Sequence, residues 1–242
     1  FHALAFSILK AEGQNPILMS GPEQESLIRQ LLVKEKWPTT LEKAIDKRGF
    51  VRELRDLISR ATERGWSYQD LTGEEFWNEA AKFWQEYEDV IALEGGSVAE
   101  FSTRLDSSQL IWQAATLLKN NPELRIKWQN RFKTILVDEF QESDKAQRAL
   151  LEQLAGNELF IAVDADSTVG RFRGADPEGV EQAIERFNPK VEIMEFNFRS
   201  SKEILKVLEK CADKFPGKKR EFKSEKDESG SFAGQLFSDE GS

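Results

Sequence analysis

At Thr134 the spacing of apolar residues changes, and that change constrains the fold more than any other feature of the chain. Upstream, apolar residues recur every three or four positions, as on one face of a helix. Pro22 to Lys36 is amphipathic and follows Ser20-Gly21-Pro22-Glu23, which has the pattern of a capping box. Phe50, Val51, Leu54, Leu57, Ile58 and Ala61 continue the pattern until Gly65. Phe76, Trp77, Ala80, Phe83, Trp84, Tyr87, Val90 and Ile91 repeat it before Gly95-Gly96. Two further helices are expected over Leu110–Leu118 and Leu124–Phe132, separated by Asn120-Asn121-Pro122. At this spacing the aromatic stripes read as core rather than as stacking platforms for bases.

From Thr134 onward the pattern becomes strand, helix, strand. Thr134-Ile135-Leu136-Val137 reads as a buried parallel strand, Leu159–Val163 as a second and Val191–Phe196 as a third. Between them, Ser143 is placed to cap a helix running to Gly156, and Asp176-Pro177 to start another. Ser200-Ser201-Lys202-Glu203 has the form of a capping box for a helix continuing to about Lys214. Strands alternating with helices imply a parallel sheet covered on both faces. The last stretch, 216–242, is rich in Lys, Glu, Ser and Gly and reads as a linker.

Composition narrows the class of protein. No apolar run is long enough to cross a membrane as a helix, and Phe1–Lys10 lacks the charged region and cleavage site of a secretory signal. A single cysteine, Cys211, excludes an internal disulfide framework and fits a reducing cytoplasm. The net charge of −9 does not exclude nucleic acid, because the charge is unevenly spread. Asp70–Glu100 carries nine acids and one Lys, whereas Lys119–Lys133 carries five bases and one acid. Binding responds to charge within about 8 Å at physiological salt, so the local balance matters more than the total.

The residues that carry chemistry lie just after the first strand. Asp138 and Glu139 stand at its carboxyl end, where open α/β sheets place their ligands. Such a pair can hold Mg²⁺ and polarise an attacking water, although two carboxylates can also simply end a strand at the surface.

Four ordered motifs decide for chemistry. Asp138-Glu139-Phe140-Gln141-Glu142 resembles helicase motif II of the UvrD/Rep family of superfamily 1 DNA helicases. Val163-Asp164-Ala165-Asp166-Ser167-Thr168-Val169-Gly170-Arg171-Phe172-Arg173-Gly174-Ala175 looks like motif III, and Asn197-Phe198-Arg199-Ser200 like motif IV. Phe1-His2-Ala3-Leu4-Ala5-Phe6-Ser7-Ile8-Leu9 is similar to the stretch that follows motif Ia. The resemblance implies an α/β fold: a partial RecA-like P-loop NTPase domain with a parallel sheet, carrying an all-helical inserted domain of the 1B kind. On that basis residues 1–9 begin the RecA-like domain 1A, 10–130 form the insert, 131–215 return to domain 1A, and 216–242 lead towards a second RecA-like domain.

The same resemblance implies roles. Asp138 would serve Mg²⁺, Glu139 the hydrolytic water, Gln141 the γ-phosphate region, and Arg199 the charge that builds on the γ-phosphate. Phe198 would stack on adenine, and Ser167 stands where a glutamine usually approaches the nucleotide. Phe172 would stack on single-stranded DNA, with Arg173, His2 and Phe1 near the strand. Residue by residue, ordinary alternatives stay open: Phe172 in the core, Arg173 solvated, His2 as a plain helix residue.

The expected activity is ATP-driven movement on DNA, 3′ to 5′, in DNA repair or recombination, with ATP and Mg²⁺ as cofactors. No Gly-x-x-x-x-Gly-Lys-(Ser/Thr) phosphate loop occurs in the 242 residues. The chain therefore reads as an internal piece that is inactive alone, with upstream and downstream parts of the same polypeptide and a partner subunit expected beside it. Val163, Ser167 and Gly170 depart from the family pattern, and similar Asp-Ser-Thr variants mark an actinobacterial helicase–nuclease branch. These departures favour a rival, a non-catalytic DNA-binding or scaffold subunit derived from a helicase. Intact Asp138, Glu139 and Arg199 favour the motor.

Overall fold

In a computed structural model the chain forms two units, residues Phe1–Phe187 and Asn188–Ser242. The structure describes residues 1–33, 37, 42–45, 47–73, 75–98, 102–164, 175, 178–212 and 223–226. The first unit is mostly helical. It runs α1 (His2–Ala11), β1 (Asn15–Leu18), α2 (Gly21–Leu32), α3 (Glu42–Ile45), α4 (Arg48–Glu63), α5 (Glu75–Val98), β2 (Ser102–Leu105), α6 (Ser107–Asn120), α7 (Pro122–Gln129), β3 (Thr134–Val137), α8 (Lys145–Leu154), β4 (Glu158–Ile161) and α9 (Gly179–Phe187).

Local chemistry explains the helix ends. The Ser20 backbone N–H donates to the Glu23 carboxylate at 2.7 Å, closing the expected capping box of α2. At the end of α4, Trp66 N–H reaches Ala61 O and Gly65 N–H reaches Thr62 O, the two bonds of a Schellman motif. That motif needs a left-handed residue, and Gly65 has φ +71°. A Cβ there would also meet Trp112 Cζ2 at 2.9 Å, so glycine is required twice over. α5, by contrast, does not stop before Gly95-Gly96 but runs on to Val98. Glycine weakens a helix interior by only about 1 kcal/mol, too little to end a four-turn amphipathic helix by itself.

Two buried clusters fill this unit. One gathers α2, α4 and α5, where Phe83, Trp84 and Tyr87 are all but fully buried, so these aromatics are core as their spacing implies, whereas Trp77 is 37 % exposed. Truncating such a side chain to Ala costs about 3–5 kcal/mol. The other joins Ala5, Ile8 and Leu9 of α1 to Leu110, Ala114 and Leu118 of α6, Trp128 of α7 and Leu150 of α8. α6 and α7, which lie within the stretch 10–130, thus share a core with α1 and α8. Polar bonds stitch the clusters together: Trp112 Nε1 donates to Thr62 O at 2.6 Å, and the Ser59 and Ser108 hydroxyls lie 3.2 Å apart.

The strands are shorter and more numerous than the sequence pattern suggests. β1 pairs parallel with β2, tying together the two ends of the helical stretch that contains α2 to α5. Both lie in the stretch whose spacing reads as helical, because four-residue strands such as Asn15-Pro16-Ile17-Leu18 leave no room for an alternation to show. β3 pairs parallel with β4, Leu136 opposite Phe160. The buried-strand reading is met on one face only. Ile135 packs against the second cluster, whereas Leu136 is 76 % and Phe160 59 % exposed. Successive side chains of a strand point to opposite faces, so a strand pair with helices on one side leaves every second residue open.

The second unit holds β5 (Phe196–Asn197), α10 (Lys202–Ala212) and β6 (Lys223–Ser224), with β5 parallel to β6. Val191–Glu195 is not strand; Ile193 and Met194 are exposed, and only Phe196 and Asn197 pair. β-rich composition makes a strand only where a partner supplies the ladder. Ser201 rather than Ser200 stands at the start of α10, its hydroxyl facing Ile204 N–H at 3.5 Å.

Candidate active site

β3 delivers Asp138 and Glu139 to its carboxyl end, where both side chains are exposed. Backbone bonds hold the segment beside β4: Ala162 N–H donates to Val137 O at 2.8 Å and Phe140 N–H to Ala162 O at 3.2 Å. Between them the chain turns sharply, with Glu139 in the left-handed region at φ 51°, ψ 42°. A non-glycine residue there is strained by about 1–3 kcal/mol and persists only where its surroundings over-determine it. Here they do. Phe140 and Gln141 on the following turn are each 2 % exposed, and Glu139 N–H donates to Asp138 Oδ1 at 2.9 Å.

Gln141 organises the site from beneath. Its Nε2 donates to Glu139 Oε2 at 2.6 Å, and its Oε1 accepts from Asp164 N–H at 3.0 Å. Only this orientation of the amide satisfies a carboxylate on one side and an N–H on the other. One buried side chain therefore fixes the Glu139 carboxylate against the end of β4, where the third motif begins.

The turn continues into α8 through a second set of bonds. Ser143 Oγ donates to Phe140 O at 2.6 Å, and buried Arg148 donates from Nη1 to Ser143 O at 3.0 Å. Arg148 also lies where a side chain at Gly179 would be, so α9 starts on a residue that can admit the guanidinium. The helix cap is Asp144, not the expected Ser143: Asp144 Oδ1 accepts from Gln147 N–H at 2.8 Å. Ser143 is occupied with the turn behind it. Burial is the main force raising the Asp144 pKa, opposed by these helix N–H groups, by Arg148 and by His2. Glu63 and Asp106 are raised too, each chiefly by burial, with Asp144 and then Asp106 adding to the shift of Glu63.

Asp138, Glu139 and Gln141 are thus brought together, and His2, exposed at the start of α1, is brought near Asp144. Phe1 precedes it, 40 % exposed. In the second unit, Asn197 Oδ1 accepts from the N–H groups of Arg199 and Ser200 at 2.9 and 2.7 Å, a turn that leaves Phe198 and Arg199 exposed. Ser224 Oγ closes it from β6 by donating to Ser200 O at 2.7 Å. Ser167, Phe172 and Arg173 lie outside the described residues. Sequence reasoning missed the roles of Asp164 and Arg148. A backbone N–H leaves no mark in composition, and an arginine in a helix reads as surface until its partner is seen.

Comparison with known proteins gives this geometry a context. A family model described as the UvrD/REP helicase N-terminal domain matches residues 1–188. An ATP-dependent DNA helicase Rep of Buchnera aphidicola subsp. Baizongia pistaciae is 28% identical over 216 residues, covering 86% of this chain and 30% of that protein. The Rep helicase of Buchnera aphidicola subsp. Acyrthosiphon pisum is 37% identical over 106 residues, 43% of this chain and 16% of the relative. The exonuclease/helicase subunit RexA of Streptococcus pneumoniae serotype 4 is 35% identical over 111 residues, 42% of this chain and 9% of the relative. The matched region spans less than a third of each of these relatives.

Proposed function

Because the chain belongs to the UvrD/REP helicase N-terminal-domain family, we propose that it is the part of an ATP-dependent DNA helicase that activates the hydrolytic water. The observation that carries this reading is the Glu139 carboxylate, held by the buried Gln141 amide at the end of a parallel strand pair. Glu139 takes a proton from the water as that water attacks the γ-phosphorus, and the bond to the departing ADP oxygen breaks. Gln141 acts through Glu139, because its amide is 2 % exposed and donates to that carboxylate.

Asp138 suits Mg²⁺, which is commonly bound by one or two carboxylates together with water and substrate phosphates. When bound, that ion supplies positive charge to the phosphates. Arg199, exposed on the Asn197 turn, supplies a guanidinium for the γ-phosphate, and exposed Phe198 a surface for adenine. The nucleotide role is assigned to Ser167 and the DNA roles to Phe172, Arg173, His2 and Phe1, by their motifs.

The fold behind these roles is a RecA-like domain 1A with a 1B-like helical insert. The open face around Leu136 and Phe160 is where the rest of that domain packs. The phosphate cradle comes from outside the 242 residues, so the chain by itself does not hydrolyse ATP. The full-length protein moves 3′ to 5′ on single-stranded DNA, in repair or recombination, with a partner subunit. Val163, Ser167 and Gly170 support the second reading, a helicase-derived DNA-binding or scaffold subunit. Steady-state ATP hydrolysis by the full-length protein, with and without single-stranded DNA, separates the two. Stimulation by DNA supports the motor, and its absence the scaffold.

A further inference from the structure

A strongly basic run of the first unit, 119–133, lies outside the motifs. α7 buries Leu124 and Trp128, which turns its opposite side outward. The run 119–133 carries Lys119, Arg125, Lys127, Arg131 and Lys133 against Glu123, with Arg125 and Lys127 on the two flanks of the outward, 53 % exposed Ile126. Lys127 pairs with Glu12 at 3.3 Å while remaining 70% exposed, and Arg131 lies 4.9 Å over the Trp128 ring. Lys119, Arg125 and Lys133 form no ion pair among the described residues. On a chain of net charge −9, a run of five bases and one acid is a strong local departure.

The ligand for such a face is a dense line of negative charge. An eight-residue helix is about 12 Å long. Duplex DNA carries a charge about every 1.7 Å of its axis, so roughly seven phosphate charges pass along that length. Single-stranded DNA fits less well, because its binding surfaces add exposed aromatic rings for the bases. Here the aromatics turn inward, Trp128 buried and Phe132 packed on the second cluster. Lysines on a solvated helix position a backbone without reading sequence.

We propose that the outer face of α7 docks the phosphate backbone of duplex DNA, as a contact separate from the motif residues. The proposal rests on the DNA-helicase reading. Its test is the salt dependence of binding by the full-length protein to a labelled duplex and to a single-stranded oligonucleotide of equal length. Replacing Lys119, Lys127 and Lys133 together by Gln should lower the slope of log K against log salt by about 2–3 for the duplex, at about 0.9 per phosphate contact. The single-strand slope should stay unchanged. The matching Lys→Arg triple variant should keep the wild-type slope, which separates lost charge from lost fold.

An unchanged duplex slope overturns the proposal and leaves the face to an acidic protein partner. An equal loss on both DNAs, or the same loss in the Lys→Arg variant, overturns it too. Those outcomes touch the face alone. Failure of the helicase reading would appear instead in the unsubstituted protein, as ATP hydrolysis that DNA does not stimulate.

Discussion

Gln141 donates to the Glu139 carboxylate at 2.6 Å from a position itself 2 % exposed, so a strained, solvent-facing acid is steered by a buried neutral amide. The arrangement orients the base without adding charge.

This relationship gives the first prediction. In the full-length protein, Gln141→Met removes the amide that holds the Glu139 carboxylate and should lower kcat about tenfold, about 1.4 kcal/mol of barrier, with the affinity for ATP unchanged. The substitution keeps the volume of the side chain, so a melting curve checks that the fold is retained. A kcat of Gln141→Met equal to that of the wild type would show that Gln141 does not steer Glu139.

Arg199 tests the contribution of the second unit. Its backbone is fixed by Asn197, but its side chain is exposed, so truncation should not disturb the fold. Arg199→Ala should cut kcat by about 10³-fold at saturating ATP and DNA if the guanidinium stabilises charge in phosphoryl transfer. An unchanged kcat assigns Arg199 to structure and supports the scaffold reading.

Phe172 separates stacking from packing. As a stacking residue, Phe172→Ala should weaken single-stranded DNA binding by about 1–3 kcal/mol and leave the melting temperature nearly unchanged. As a core residue it would lose about 3–5 kcal/mol of folding stability instead. A DNA titration at fixed salt, paired with a melting curve, distinguishes them.

The seam between the two clusters predicts a pH effect. Burial raises the Glu63 pKa first, Asp144 adds to it, the Ser59 hydroxyl opposes, and Asp106 raises it further. A carboxyl raised in the folded state binds more protons there than in the unfolded chain. Stability therefore falls as pH rises from the ordinary glutamate range through the raised value. Glu63→Gln should raise the melting temperature at pH 7 and flatten that fall, with the gain shrinking as the pH is lowered. A lower melting temperature at pH 7 with an unaltered pH slope would contradict the burial argument.

What the sequence made legible follows from the range of the interactions. α2, α4, α6 and α7 could be read because caps and apolar periodicity are local, as Ser20 with Glu23 and Gly65 show. The carboxylate pair was readable for the same reason, since a strand ending in Asp138-Glu139 is a contiguous signal. β1 with β2 was not, because the partners lie far apart in sequence and each is only four residues long. Nor was the part played by Gln141. Its partner Asp164 N–H is brought in by the pairing of β3 with β4, and position along the chain does not reveal which group a buried amide will meet.

The central claim is that Glu139 is the base that activates water, and one substitution addresses it directly. Glu139→Gln retains the shape of the side chain and can still bond to Gln141, but it cannot take a proton. The measurement is single-turnover ATP hydrolysis by the full-length protein with DNA bound, alongside the affinity for ATP. The account predicts a loss of hydrolysis of about 10²-fold or more, with ATP binding retained. Hydrolysis within about twofold of wild type, which is under roughly 0.5 kcal/mol of barrier, would contradict it.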